Sequence, residues 1–271
     1  MNATDEDKKI RDLKFADYPG RELHLDLYLP EEAERPLPVI MFIPVGGWRN
    51  CQRPEVRPWL TEYGFAVAAI ECRVHPEVTA PATVFDCKAG IRWLRAKGVE
   101  YGLDPDRIGT WGGSAGGHLS ALMAVSGEVA ALEGEGGHAG VSTMIRAACD
   151  RCGPTDLERM ADPQLAAQSP VLREVTDNFV GGPVADHRDI ARLVSPLRYV
   201  SADCPPILIL HGDQDVVVPV AESLIFHDAL VAAGVDATLR VLPGEGHGWD
   251  EGLTRDTTVE FFRRTLQGRL M

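Results

Sequence analysis

Residues Arg21 to Leu29 place an apolar side chain at every second position (Leu23, Leu25, Leu27, Leu29). That is the period of an antiparallel strand with one wet face. Residues 10–16 alternate in the same way, and Tyr18-Pro19-Gly20 separates the two segments. After a polar, proline-bearing connection the pattern changes to continuous apolar runs. Pro38 to Ile43, Phe65 to Ile70, Ile108 to Trp111, Met144 to Cys149 and Pro206 to Leu210 read as strands covered on both faces. Ala237 to Leu242 reads as the last strand, and Asp104-Pro105-Asp106 as a turn feeding the strand at 108.

Helical spacing appears between the strands. Ala82 to Lys97 sets Val84, Ala89, Ile91, Trp93 and Leu94 apart from Arg92, Arg95 and Lys97, and Gly98 suggests its end. Leu119 to Val125 is an alanine-rich apolar helix. Glu222 to Ala233 is closed by Gly234, and Leu253 to Gln267 forms the terminal helix. Residues 127–142, rich in Gly and Glu, read as an irregular surface segment. Pro154, Pro163, Pro170 and Pro183 break residues 153–195 into short helices and loops, the pattern of a cap over a site. Strands alternating with helices after an antiparallel start predict an α/β protein with one mostly parallel, doubly wound sheet. Residues 1–271 are expected to form a single domain with a cap insertion around 153–195. No internal repeat or low-complexity linker interrupts it.

Composition narrows the partners. The 271 residues suffice for one large domain, and 45% hydrophobic with 25% charged residues is ordinary for a globular protein. A formal net charge of −13 argues against nucleic acid or an anionic membrane as partner. No apolar run approaches the roughly eighteen residues of a membrane span. Met1 to Lys9 is polar, so no signal peptide is read and a cytoplasmic location is expected, although a start engineered in place of a removed signal would read the same. The six cysteines are scattered, which predicts reduced thiols. Cys149-Asp150-Arg151-Cys152 spells C-x-x-C, but without a second pair or a suitably spaced histidine it reads as coincidence rather than a metal or redox site. No metal and no organic cofactor is expected. The expected partner is a small molecule, and a homodimer is compatible with the chain.

The chemistry concentrates at residues 107–119, where the strand Ile108 to Trp111 runs into Gly112-Gly113-Ser114-Ala115-Gly116 and then a helix. Strand, sharp turn and helix around G-x-S-x-G is the setting of a nucleophile elbow, with Gly112 and Gly116 keeping the strained turn clear. A serine nucleophile needs an aligned base, itself oriented by a carboxylate, in the chain order Ser, acid, His. Asp215 follows the strand ending at Leu210, and His247 follows the last strand between Gly246 and Gly248. Asp213 is the rival acid. The oxyanion hole is assigned to the amides of Gly46, Gly47 and Ala115. Val45 and Trp48 beside those glycines are assigned to the substrate pocket, with core packing an equal alternative for Trp48. His118 and His211 read as hydrogen-bonded core histidines, and Asp86 as an anchor for a loop.

With these residues in hand the chain resembles the α/β-hydrolase superfamily, and within it the bacterial esterase branch of feruloyl- and acetyl-xylan-esterase-like enzymes near the hormone-sensitive-lipase group. The resemblance runs nearly the full length. It includes Gly46-Gly47-Trp48, Phe85 to Ala89, Tyr101 to Ile108, Gly113 to Leu119, Gly153 to Leu157, Ser195-Pro196, His211-Gly212 with Asp215, and Gly246-His247-Gly248. It implies a serine carboxylic-ester hydrolase acting on short acyl or small aromatic esters. An amidase or arylformamidase is the alternative on the same residues, and a ligand-binding receptor on a hydrolase fold the more distant one. Two departures stand out. Pro44 and Val45 replace the His-Gly that usually opens the oxyanion loop, so the loop must be held differently. Cys72 and Arg151-Cys152 stand where relatives often carry aromatics, which implies a less aromatic pocket.

Overall fold

The continuous apolar runs are shared, residue by residue, between two cores. Ala66, Ala68 and Ile70 join one buried cluster while Val67 and Ala69 join the other. Ile207 and Ile209 likewise face away from Leu208 and Leu210. Successive side chains on a strand point to opposite faces, so an unbroken apolar run is what a sheet covered on both sides requires. The structure is a computed structural model that describes residues 9–55 and 58–268.

The strands are β1 (Lys9–Tyr18), β2 (Arg21–Tyr28), β3 (Leu37–Ile43), a small hairpin of β4 (Val45–Gly46) and β5 (Asn50–Cys51), β6 (Ala66–Ile70), β7 (Leu103–Gly113), β8 (Ala147–Arg151), β9 (Ile207–Gly212) and β10 (Ala237–Leu242). Eight of them form one sheet in the order β1-β2-β6-β3-β7-β8-β9-β10. The β1–β2 and β2–β6 pairings are antiparallel and all later ones parallel, as expected. The helices are α1 (Ala82–Lys97), α2 (Ala115–Val125), α3 (Pro163–Gln168), α4 (Pro170–Val180), α5 (Arg188–Leu193), α6 (Ala221–Ala232) and α7 (Arg255–Phe262). Side chains of α1, α2 and α6 fill the core on one face. Those of α7 and the 3-10 turn Trp59–Tyr63 fill the other. Among the described residues no helix is long and apolar enough to cross a membrane.

The strand order explains where a site can form. From β3 the chain moves outward to β6 and then returns past β3 to β7. Loops leaving the carboxyl ends of β3 and β7 therefore diverge, and a crevice opens between them. Ile43 pairs with Gly112, so the Pro44 loop and Ser114 leave the sheet side by side.

The structure revises three boundaries. While β3 advances from Leu37 to Val39, β7 advances from Leu103 to Ile108, so Asp104-Pro105-Asp106 is a bulge within β7 and not a turn before it. Asp104 Oδ1 accepts the Asp106 N–H at 2.9 Å, which satisfies part of the displaced backbone. The strand expected at Met144 to Cys149 lies instead at Ala147–Arg151. Its register is set by β7, with Gly109 opposite Ala147 and Gly113 opposite Arg151, while Met144 is left exposed. The terminal helix divides into a 3-10 turn (Glu251–Leu253), α7, and a wider turn (Arg263–Gln267). The irregular segment after α2 is tied to α1. Lys88 Nζ donates to Thr143 Oγ1 (3.0 Å), and Arg92 donates to the carbonyls of Glu133 (2.8 Å) and Gly137 (2.9 Å).

Candidate active site

Ser114 stands between β7 and α2 at φ +55° and ψ −123°, a conformation costly for a residue with a side chain. Backbone bonds hold it there. Its N–H donates to the Arg151 carbonyl at 2.7 Å, and its carbonyl accepts the His118 N–H at 2.9 Å. The turn has no room for larger neighbours. A Cβ on Gly112 would lie 2.5 Å from the Gly116 backbone, and one on Gly116 would lie 2.2 Å from the Ile43 carbonyl oxygen. Both obstacles are backbone, which cannot rotate away. Gly116→Ala is therefore expected to destabilise the fold by about 3 kcal/mol or more, read as a lower urea midpoint. An unchanged midpoint would show that the elbow has slack.

Three side chains from distant parts of the chain meet here. His247 Nε2 lies 2.8 Å from Ser114 Oγ, and His247 Nδ1 lies 2.7 Å from Asp215 Oδ2. With Asp215 ionised, Nδ1 carries the proton and Nε2 is free to accept from the serine. Asp215 is saturated. Its Oδ1 accepts the amides of Val217 (2.8 Å) and Val218 (2.9 Å), and its Oδ2 also lies 3.2 Å from His211 Nε2. Burial alone would raise this carboxyl. The bonds from His211, His247 and Val218 outweigh burial and hold it well below the usual carboxylate range. Asp213 turns elsewhere, its Oδ1 accepting from the Gly244 amide (2.8 Å) and Gln214 Nε2 (3.0 Å).

Beside these groups lies a pocket of about 360 Å³, lined by Gly46, Gly47, Trp48, Arg49, Ser114, Ala115 and His247. Its far wall is Val171, Leu172 and Val175 of α4 with Val217 and Val218. Val45 does not line it. This residue is buried within the core because β4 turns its side chain inward, which corrects its assignment to the pocket. Trp48 borders the pocket and is packed into the core, only 1% exposed.

The same tryptophan shows how the loop is held without the usual His-Gly. Gly47 and Trp48 both adopt positive φ (+54° and +49°), and the Arg49 N–H closes the turn on the Gly46 carbonyl at 3.1 Å. The Trp48 ring stacks on Phe179 of α4 (centroids 4.6 Å, 11°), and its Nε1 donates to His118 Nδ1 at 3.2 Å. His118 Nε2 in turn lies 2.7 Å from the Val194 carbonyl, so that nitrogen carries its proton. Burial lowers His118 to about 4, and the ring stays neutral as this chain of bonds requires. The loop is thus clamped to α2 and α4 by one indole.

Three contributions were not found by reading the sequence. His211 is more than a core histidine, since its Nε2 lies 3.2 Å from Asp215 Oδ2, and the His-Gly-x-x-Asp spacing is the sequence signal for that contact. Its Nε2 lies 2.9 Å from the Val218 carbonyl, which can only accept, so Nε2 carries the proton and Nδ1 accepts from Ser223 Oγ at 2.6 Å. The α4 wall could not be placed because helical spacing does not say where a helix docks. Cys152, at φ +48°, brings its thiol behind His247. Sγ lies 3.9 Å from the His247 carbonyl, and ligand atoms of Cys152, Asp215 and His247 all fall within 4.8 Å of one another. Cys149 belongs to the core on the opposite face of the sheet, and none of the six cysteines is in a disulfide.

Residues 25–230 match the family described as BD-FAE. Esterase LipQ of Mycobacterium tuberculosis is 35% identical over 243 residues, which is 87% of this chain and 56% of that protein. The probable carboxylic ester hydrolase LipM of the same organism is 33% identical over 81% of this chain and 51% of its own length. The chain thus spans about half the length of these curated relatives. Among solved structures, a truncated carbohydrate esterase from gut microbiota superimposes with a TM-score of 0.84 at 29% identity, covering 96% of both chains. The sheet with its helices is the α/β-hydrolase fold.

Proposed function

The chain belongs to the BD-FAE family, and from that premise we propose that it is a serine carboxylic-ester hydrolase acting on short-chain acyl or small aromatic esters. The observation that supports this most is the hydrogen-bonded line from Ser114 through His247 to Asp215, ending in an apolar pocket. Ser114 Oγ attacks the ester carbonyl while His247 Nε2 takes its proton. Asp215 holds the proton on Nδ1 and stabilises the imidazolium that forms. The amides of Gly46, Gly47 and Ala115 receive the developing oxyanion, aided by the positive end of α2. His247 then protonates the leaving alcohol, and water repeats the sequence on the acyl-enzyme. The named relatives and the neighbouring structure are described as esterases, which favours esters over amides. In this reading residues 153–195 are a cap, and α4 supports it by closing the pocket. A Cβ on Gly47 would touch Val175 Cγ1 at 3.4 Å.

The test is steady-state hydrolysis of p-nitrophenyl esters from acetate to decanoate. Each CH₂ that fits against Leu172, Val175 and Val218 adds up to about 0.8 kcal/mol. Once the wall is reached the gain reverses, so kcat/KM should peak among the short chains and fall toward decanoate. No turnover on any ester would overturn the reading.

A further inference from the structure

We propose that Cys152, Asp215 and His247 form an inhibitory site for a thiophilic divalent cation such as Zn²⁺. Each of the three offers a ligand atom, these atoms lie within 4.8 Å of one another, and the ion takes the place of the His247 proton that Asp215 Oδ2 accepts. A tetrahedral zinc centre with bonds of about 2.0–2.3 Å sets its donors roughly 3.3–3.6 Å apart. Closure therefore needs a movement on the order of 1 Å. The histidine can supply it, because a Cβ on Gly248, which follows it, would meet nothing within 4 Å. Of the three only His247 lines the pocket, so the ion reaches Cys152 and Asp215 as the histidine moves aside, and water fills its fourth position.

The donor set selects the metal. Thiolate, imidazole and carboxylate suit Zn²⁺ or Co²⁺, whereas Mg²⁺ and Ca²⁺ require oxygen ligands. The Asp215 carboxylate, within 4.8 Å of the Cys152 thiol, favours a divalent cation in place of the thiol proton. On binding, the S–H bond breaks, an S–metal bond forms, and one proton leaves to solvent. Nothing is oxidised or reduced. The ion binds His247 Nδ1, the nitrogen that faces Asp215, and drives the ring proton to Nε2, which then donates to the serine, so the base is lost.

The inhibition rests on the function proposed above; the binding does not. Two readouts keep them apart. Co²⁺ titration of the whole chain should produce a thiolate-to-metal charge-transfer band, with or without turnover, and Cys152→Ser should lack it. Zn²⁺ should inhibit ester hydrolysis, and Cys152→Ser should raise the half-inhibitory concentration roughly 10- to 100-fold, each protein compared with its own metal-free rate. Mg²⁺ should do neither. If the variant does not fold, Cys152→Ala, which buries no hydroxyl, tests the same loss of the band. No band in the unaltered protein, a band that persists in the Cys152 variant, or equal inhibition by Mg²⁺ would each overturn the site.

Discussion

Ser114→Ala is expected to lower kcat by roughly 10⁵- to 10⁶-fold while leaving the folded protein intact. The two halves of that result have separate causes. The Ser114 hydroxyl is hydrogen-bonded to His247 Nε2. Removing it leaves that nitrogen facing the pocket, where water replaces the lost partner, so the urea midpoint should move by less than about 1 kcal/mol equivalent. The strain at φ +55° is the same for alanine as for serine, and the backbone bonds to Arg151 and His118 remain. Chemistry has no such substitute, because no acyl-enzyme can form. Residual turnover would come from the oxyanion amides and substrate binding alone. Intact mass after a fluorophosphonate label should show one adduct on the unaltered protein and none on the variant. A variant within tenfold of the parent rate would remove Ser114 from the mechanism.

The elbow was legible in the sequence because several independent requirements coincide there. A strand apolar on both faces, glycines two residues on either side of the serine and an alanine-rich helix are each needed for the turn. The backbone clearances at Gly112 and Gly116 show why other residues would not serve. The strand order at β3 and β7 then brings the Gly46-Gly47 loop to the same crevice, which a pattern of alternating strands and helices already implies. Registers and side-chain directions were not legible. β8 lies later than its apolar run because pairing with β7 sets its position, and this carries the polar Asp150 and Arg151 to the site end. Val45 turns inward because the small β4–β5 hairpin decides its facing, and no period can be read from two residues. The hold that replaces the usual His-Gly is a tertiary contact from Trp48 to His118, seventy positions apart. Only the assembled fold reveals it.

Asp215→Asn should cost about 10⁴-fold in kcat, while Asp213→Asn should stay within a few fold of the parent. The bonding around Asp215 explains why an isosteric change is so damaging. Two rigid donors, the amides of Val217 and Val218, meet Oδ1 at 2.8 and 2.9 Å. They will hold the amide oxygen of asparagine in that place and turn its NH₂ toward His247 and His211. An NH₂ donates to His247 Nδ1 where the carboxylate accepted from it. The ring proton must then sit on Nε2, where it donates to Ser114 and cannot receive the serine's proton. The His211 Nε2–H meets the same NH₂ and is left with the Val218 carbonyl at 2.9 Å. Substrate binding is untouched, so the loss should fall on kcat with KM little changed. Asp213 bonds to the Gly244 amide and Gln214, so its replacement alters only the turn after β9. Equal losses in the two variants would mean that this turn, and not the charge on Asp215, is what aligns His247.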